Sequence, residues 1–223
     1  MKRQAPMFLM PGSRSVVLRL PTAARLRVSP EMFWEVACEN RKLRLERTAT
    51  GRLEVLPPAW TITGAKNATL TGQLWSWNQA CGAGVGFGSD VGYTLPNGAV
   101  RSPDASWMTW DQWRSMTPEQ REGFPPFCPK FVAELRSHGD RLKVLRRKMR
   151  EYRSQGAELG WLIDLVRKRV EVYRSDQPVE VLDNPTHLSG EAVLPGFVLD
   201  LNDILADDLL FRSAPEEKRD GNG

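Results

Sequence analysis

The sequence predicts a single α/β domain, and three observations predict it. Residues 129–152, P-K-F-V-A-E-L-R-S-H-G-D-R-L-K-V-L-R-R-K-M-R-E-Y, read as a strand, a short turn and an amphipathic helix. Segments of two-residue alternation lie on both sides of that unit, among stretches of helical spacing. Finally, 223 residues suffice for one sizeable core, and no internal repeat or low-complexity linker divides them. The domain is expected over 16–210, with disordered tails at 1–15 and 211–223.

Bulk properties exclude several classes. A net charge of +4 permits nucleic-acid binding without requiring it, and a solvated surface accounts for it equally well. Cys38, Cys81 and Cys128 are far apart and free of C-x-x-C spacing, which suggests a reducing compartment and no zinc ribbon. His138 and His187 are too few for a His-rich metal site and a poor basis for a Ser-His-Asp triad. The M-K-R start hints at a signal peptide, but Pro6 and Pro11 bracket an apolar run too short for one. No stretch is long enough to span a membrane. A cytoplasmic protein is expected.

Ser29-Pro30-Glu31 opens a first helix, as N-cap, first-turn proline and acid near the positive end. Met32, Phe33 and Val36 give it an apolar side, and Asn40 ends it. Over 41–57, Leu43 and Leu45 alternate with Lys42, Arg44 and Glu46, and Leu53 and Val55 with Arg52 and Glu54. That is a hairpin turning at 48–51, with one polar face. Hairpin geometry alone makes Glu46 a solvent-facing carboxylate paired with Arg44 or Arg52. A second helix is expected from Ala65 to about Ala80, with Leu70, Leu74 and Trp77 as a core stripe. The run C-G-A-G-V-G-F-G-S-D is no nucleotide loop, for it lacks the phosphate-loop lysine and no helical pattern follows it. A strand over Val91–Leu95 follows instead, closed by the turn Pro96-Asn97-Gly98. Asp104, after Pro103, enters a strand on which it shares a face with Ser106. Helical segments over 110–122 carry a capping box, Thr117 with Gln120. A proline-rich connector over 124–129 leads to the central unit.

In that unit, Glu134 and Arg136 share one strand face by the two-residue period. A carboxylate within an apolar strand is costly unless a metal ion or a cationic side chain compensates it. Asp140 is the expected N-cap of the helix 141–155, and Gly156 its stop. Leu142, Leu145, Met149 and Tyr152 form the apolar stripe. Lys148 lies at the edge of that stripe, where it either reaches inward or snorkels to solvent. Two strands, 161–165 and 170–173, follow around the basic turn Arg167-Lys168-Arg169. A short strand over 179–182, a last strand ending near Asp200 and a short helix from Asn202 complete the domain.

An acid after proline on one strand, then E-x-R on a later one, suits phosphodiester hydrolysis. That chemistry calls for a hard divalent cation on carboxylates and a nearby cationic group. The bare pattern is common. Longer motifs are specific: K-F-V-A-E-L-R-S-H-G-D, K-M-R-E-Y-R-S-Q-G-A-E-L-G-W-L-I-D and V-E-V-Y-R, with L-R-L-E-R, T-G-R-L-E-V-L-P-P, L-W-S-W-N, G-Y-T-L-P-N-G-A-V-R-S-P-D-A-S-W and T-P-E-Q-R-E upstream and V-L-P-G-F-V-L-D-L downstream. Together they resemble the Uma-two family of endonucleases, in the restriction-endonuclease-like, PD-(D/E)xK superfamily, over nearly the whole chain from about Leu18 to Leu205.

The resemblance implies a restriction-endonuclease-like mixed β-sheet core flanked by helices. It implies Asp104 and Glu134 as metal ligands for Mg2+ or Mn2+, and Glu46 as a further acid of the same site. Lys148 matches a lysine moved from the strand to the following helix. Arg136 occupies the strand position that carries lysine in the superfamily, where it steadies a phosphate, pairs with Glu134 or forms a structural salt bridge. Ser137 and Asp140 are retained as site support, while His138-Gly139 stands where the family usually has Pro-Ser. A metal-dependent DNA endonuclease follows, with a catalytically degenerate nuclease-fold module for DNA binding or protein interaction as the alternative. By analogy with this fold, a homodimer is expected. Arg146, Arg147, Arg150 and the 167–169 turn are candidate phosphate contacts or simply solvated residues.

Overall fold

The computed structural model describes residues 26–207. The expected tails, 1–15 and 211–223, and the outer edges of the expected domain lie outside these residues.

The chain opens with α1 (Pro30–Glu39), whose N-cap Ser29 accepts the Met32 N–H and whose C-cap is Asn40. The hairpin β1 (Arg44–Arg47) and β2 (Leu53–Leu56) pairs in antiparallel register, Glu46 opposite Glu54. Helix α2 (Thr61–Cys81) starts four residues earlier than the expected Ala65. Trp60 is its N-cap and makes no side-chain capping bond, so no local polar signal marks the start.

The glycine run after α2 forms a strand of its own, β3 (Gly84–Phe87), which sequence reasoning missed. At Gly84 an added Cβ would lie 2.2 Å from the Met108 carbonyl oxygen, so the backbones approach as only glycine permits. The strand expected over Val91–Leu95 shrinks to β4 (Tyr93–Thr94), paired with β5 (Val100–Arg101) around the Asn97-Gly98 turn. Next come β6 (Ala105–Thr109), α3 (Trp110–Ser115) and α4 (Pro118–Arg121), the two helices opened by capping boxes at Thr109/Gln112 and Thr117/Gln120. Strand β7 (Phe131–Arg136), helix α5 (Leu142–Ser154) and β8 (Leu159–Asp164) form a parallel crossover unit. β9 (Arg169–Arg174), β10 (Glu180–Asp183), β11 (His187–Ser189), β12 (Val198–Asp200) and α6 (Asn202–Leu205) complete the described chain.

The main sheet has six strands in the order β10-β9-β8-β7-β6-β3, all antiparallel neighbours except β7 and β8. A four-stranded sheet, β2-β1-β5-β4, lies beside it. Alternation splits the core between the two faces of the main sheet. Phe131, Ala133, Leu135, Trp161 and Ile163 pack with Leu70 and Leu74 of α2 and with Leu199 and Ile204 near the C-terminal end. Val132 and Leu162 face Met149 and Tyr152 of α5. A third, small cluster of Val28, Phe33, Leu45 and Val100 holds α1 against the four-stranded sheet. Among the described residues no helix is long and apolar enough to cross a membrane.

Candidate active site

The site forms where the chain passes from one sheet to the other. β5 ends at Arg101 in the smaller sheet, and β6 begins at Ala105 in the larger. Between them lie Ser102, Pro103 and Asp104. Asp104 donates its N–H to the Ala133 carbonyl at 3.0 Å, and its Oδ2 accepts the Leu135 N–H at 2.9 Å. Its carboxylate thereby extends the β6–β7 ladder, whose last backbone pair is Ala105 with Ala133. Arg44 of β1 covers the other oxygen, with Nη2 2.9 Å from Oδ1.

Glu134 enters from the middle of β7, on the face toward α5, and is buried. Lys148 meets it from α5. The edge-of-stripe lysine turns inward: its Nζ lies 2.7 Å from Glu134 Oε1 and 2.6 Å from Glu46 Oε1. It also donates to the Ser102 carbonyl at 3.3 Å. Tyr152, one turn later on the same helix, donates its hydroxyl to Glu134 Oε1 at 3.1 Å.

Glu46 corrects the reading from hairpin geometry. It is buried, and its partners are Lys148, Arg101 and the Ser102 N–H rather than Arg44 or Arg52. The polar face of the hairpin is turned to the site because Leu45, on the opposite face, packs against α1. Glu46 Oε2 accepts from Arg101 at 2.9 Å. The same guanidinium binds Glu54 at 2.9 Å and Glu151 at 2.7 Å.

Carboxylates outnumber cations here: Glu46, Glu54, Asp104, Glu134 and Glu151 surround Arg44, Arg101 and Lys148. Burial pushes Glu134 up to about 7, and the charges of Asp104 and Glu46 add to the shift against the opposing pull of Lys148. Burial also works against ionised Glu46, but Lys148 and Arg101 outweigh it and hold its carboxyl below the ordinary value. Burial would likewise discharge Lys148, yet Glu134 and Glu46 keep its proton affinity raised.

The remaining expected residues lie apart from this cluster. Arg136 binds neither Glu134 nor a free face. Its Nη1 donates to both oxygens of Asp164 on β8, at 2.9 and 2.8 Å, because the parallel register sets those residues opposite each other. Asp140 is not the N-cap of α5, where Arg141 stands without a capping side-chain bond. Its Oδ2 instead accepts the N–H and the hydroxyl of Ser137, at 2.8 and 2.6 Å, and closes the turn between β7 and α5. His138 and Gly139 are exposed at the tip of that turn. Arg146 is engaged by Glu171 at 2.6 Å, whereas Arg147 and Arg150 are exposed. Among the described residues no three His, Cys, Asp or Glu side chains are grouped to hold a metal ion. In this arrangement Lys148 stands between Glu46 and Glu134, and Arg44 caps Asp104.

Sequence reasoning missed Arg44, Arg101 and the Tyr152 hydroxyl as members of the site. A signal existed for Arg44, which shares the strand face of Glu46 by the two-residue period. None existed for Arg101, whose partners come from β1, β2 and α5.

A family model described as "Putative restriction endonuclease", Uma2, matches residues 30–202, more than half of the chain. The fold is similar to the crystal structure of "a putative nuclease belonging to DUF820" from Anabaena variabilis, with a TM-score of 0.60 and 20% identity. That match covers 72% of this chain and 89% of the other. No curated protein matches the sequence.

Proposed function

This chain belongs to the Uma2 restriction-endonuclease family, and from that premise we propose that it is a metal-dependent endonuclease hydrolysing DNA phosphodiester bonds. One observation carries the reading: a buried lysine from α5 clamped between Glu46 and Glu134, beside Asp104 at the crossing between the sheets. Burying charges such as Glu46, Arg101, Glu134 and Lys148 costs several kcal/mol per ion, on the order of ion desolvation, which the cluster offsets only by pairing them.

The donor set suits magnesium or manganese. It consists of carboxylate and carbonyl oxygens, the ligands hard divalent cations take. The cluster also holds more carboxylates than cations, Glu46, Glu54, Asp104, Glu134 and Glu151 against Arg44, Arg101 and Lys148. Asp104 and Glu134 would hold the ion. When bound, it polarises a phosphate oxygen and lowers the pKa of a water. Glu46 and Glu134 keep Lys148 protonated and aimed into the site. Its ammonium orients the attacking water and offsets charge gathering on the phosphorus oxygens. Arg101 fixes Glu46, and Tyr152 fixes Glu134, so the lysine has one position.

Nicking of supercoiled plasmid with Mg2+ or Mn2+ tests this. Asp104→Asn and Lys148→Met are expected to lose about 10²-fold or more in rate, the scale of losing one preorganised electrostatic contact. Full activity in Asp104→Asn would sink the reading. A second reading, a nuclease-fold module that binds DNA without cutting, is favoured by the ion pairs that engage all three carboxylates. Saturable duplex binding with no nicking in either metal would select it.

A further inference from the structure

We propose that Arg44 is a phosphate-binding residue, parked on Asp104 until a DNA phosphate receives it, so that divalent metal and DNA bind cooperatively. The inference rests on the nuclease reading above and adds to it a residue, a ligand and a coupling.

Arg44 stands on the face of β1 that carries Glu46. Its Nη2 donates to Asp104 Oδ1 at 2.9 Å and to the Ser102 carbonyl at 2.8 Å. Oδ2 of the same carboxylate already accepts the Leu135 N–H. Both oxygens of Asp104 are therefore engaged, one by a backbone N–H and the other by a side chain. The Arg44 side chain is 29% exposed against 14% for Asp104, so part of it is open to solvent while the carboxylate it binds is largely covered. A cation binding Asp104 Oδ1 competes with Arg44 for that oxygen.

Arg44 is also incompletely satisfied where it is. Its Nε is buried and has no hydrogen-bond partner. A buried donor without an acceptor is unfavourable, and native structures seldom keep one. A phosphodiester removes the defect. Its two unesterified oxygens match the guanidinium fork, so Nε and one Nη are bonded together once the group turns off Asp104. Arginine suits this task better than lysine because the fork is planar and fixed.

Coupling follows from what each ligand leaves behind. Metal alone must place a guanidinium and a divalent ion on one carboxylate, or drive Arg44 off Asp104 with no anionic partner. Phosphate alone must draw Arg44 away and leave Asp104 without its counter-charge. When both arrive, the metal compensates Asp104 and the phosphate receives Arg44. Each ligand lowers the cost of the other, and linkage requires the effect to be equal in both directions.

The test is Mn2+ binding to the full chain, read by electron paramagnetic resonance with and without a short DNA duplex, mixed and frozen within seconds so that the duplex stays intact. The wild type is expected to bind Mn2+ roughly 5-fold or more tightly when the duplex is present. Arg44→Met keeps the aliphatic stem and removes the competitor. It is expected to bind Mn2+ more tightly than the wild type without DNA, to show no further gain with DNA, and to lose about one unit of the salt slope of duplex binding. Arg44→Gln answers the same question should Arg44→Met melt too low to titrate. Unchanged Mn2+ affinity and unchanged coupling in the variant would show Arg44 to be a structural ion pair. If Asp104→Asn abolishes Mn2+ binding at the same time, the metal site survives and only the role of Arg44 falls. If no protein binds Mn2+ at all, the metal reading falls with it.

Discussion

Glu134 shows at the scale of one residue how burial sets chemistry. Its carboxyl titrates at about 7 rather than at the ordinary 4.5, chiefly because it is buried and further because Asp104 and Glu46 lie near. The folded protein therefore binds this proton more tightly than the unfolded chain does. Between those two values the folded state holds more protons, so stability falls as pH rises. The contribution is fully present below about 4.5 and lost once the pH passes about 7. Thermal melts in EDTA should show the wild type losing ground to Glu134→Gln, which cannot ionise, across that window and levelling above it. A difference that stays flat across that window would mean that Glu134 is ionised throughout, held by Lys148.

At the scale of elements, β3 shows what glycine does in a strand. Gly84 and Gly86 sit in the same four-residue strand against β6. A Cβ at Gly84 would meet the Met108 carbonyl at 2.2 Å and the Trp107 ring at 2.5 Å. At Gly86 the nearest atom, Leu74 Cγ, is 3.8 Å away, an ordinary contact. Gly84→Ala should displace the edge strand and break the 3.0 Å bond from Asn78 to the Gly84 carbonyl. The expected loss is about 1–3 kcal/mol, typical of overpacking. Gly86→Ala should be neutral within about 0.5 kcal/mol or mildly stabilising, since alanine loses less backbone entropy on folding than glycine. Denaturant unfolding of both variants checks this, and equal effects would contradict it.

On the scale of the whole molecule, the two sheets share an apolar cluster, in which Tyr93 of β4 packs with Val132 and Leu162, and charged groups join them a second time. Arg101 lies on β5 and gathers Glu46 from β1, Glu54 from β2 and Glu151 from α5. It is buried, so its removal strands three carboxylates that the fold has partly taken from water. Arg101→Leu should loosen the smaller sheet before the larger one. Amide hydrogen exchange should rise in β1 and β2 while β8 and β9, in the middle of the main sheet, stay protected. A uniform rise over all strands would mean that the two sheets open as one unit.

Patterns that repeat within a few residues were legible in the chain. Alternation placed β7 and the β1–β2 hairpin, helical spacing placed α1 and α5, the Ser29 cap marked the start of α1, and Pro96-Asn97-Gly98 placed a turn. Local pattern also put Lys148 at the edge of a stripe and Glu134 in an apolar strand. Glu46, by contrast, entered the site through the family resemblance, since alternation alone pointed it to solvent. Which charges meet is set by the assembled fold. Lys148 and Glu46 are 102 residues apart in the chain, and Arg44 and Asp104 are 60 apart. Such pairs depend on how two sheets and a crossover helix come together, and no local period encodes that. The same reason hid β3, where glycine has no side chain to show a pattern and is required by a neighbouring backbone.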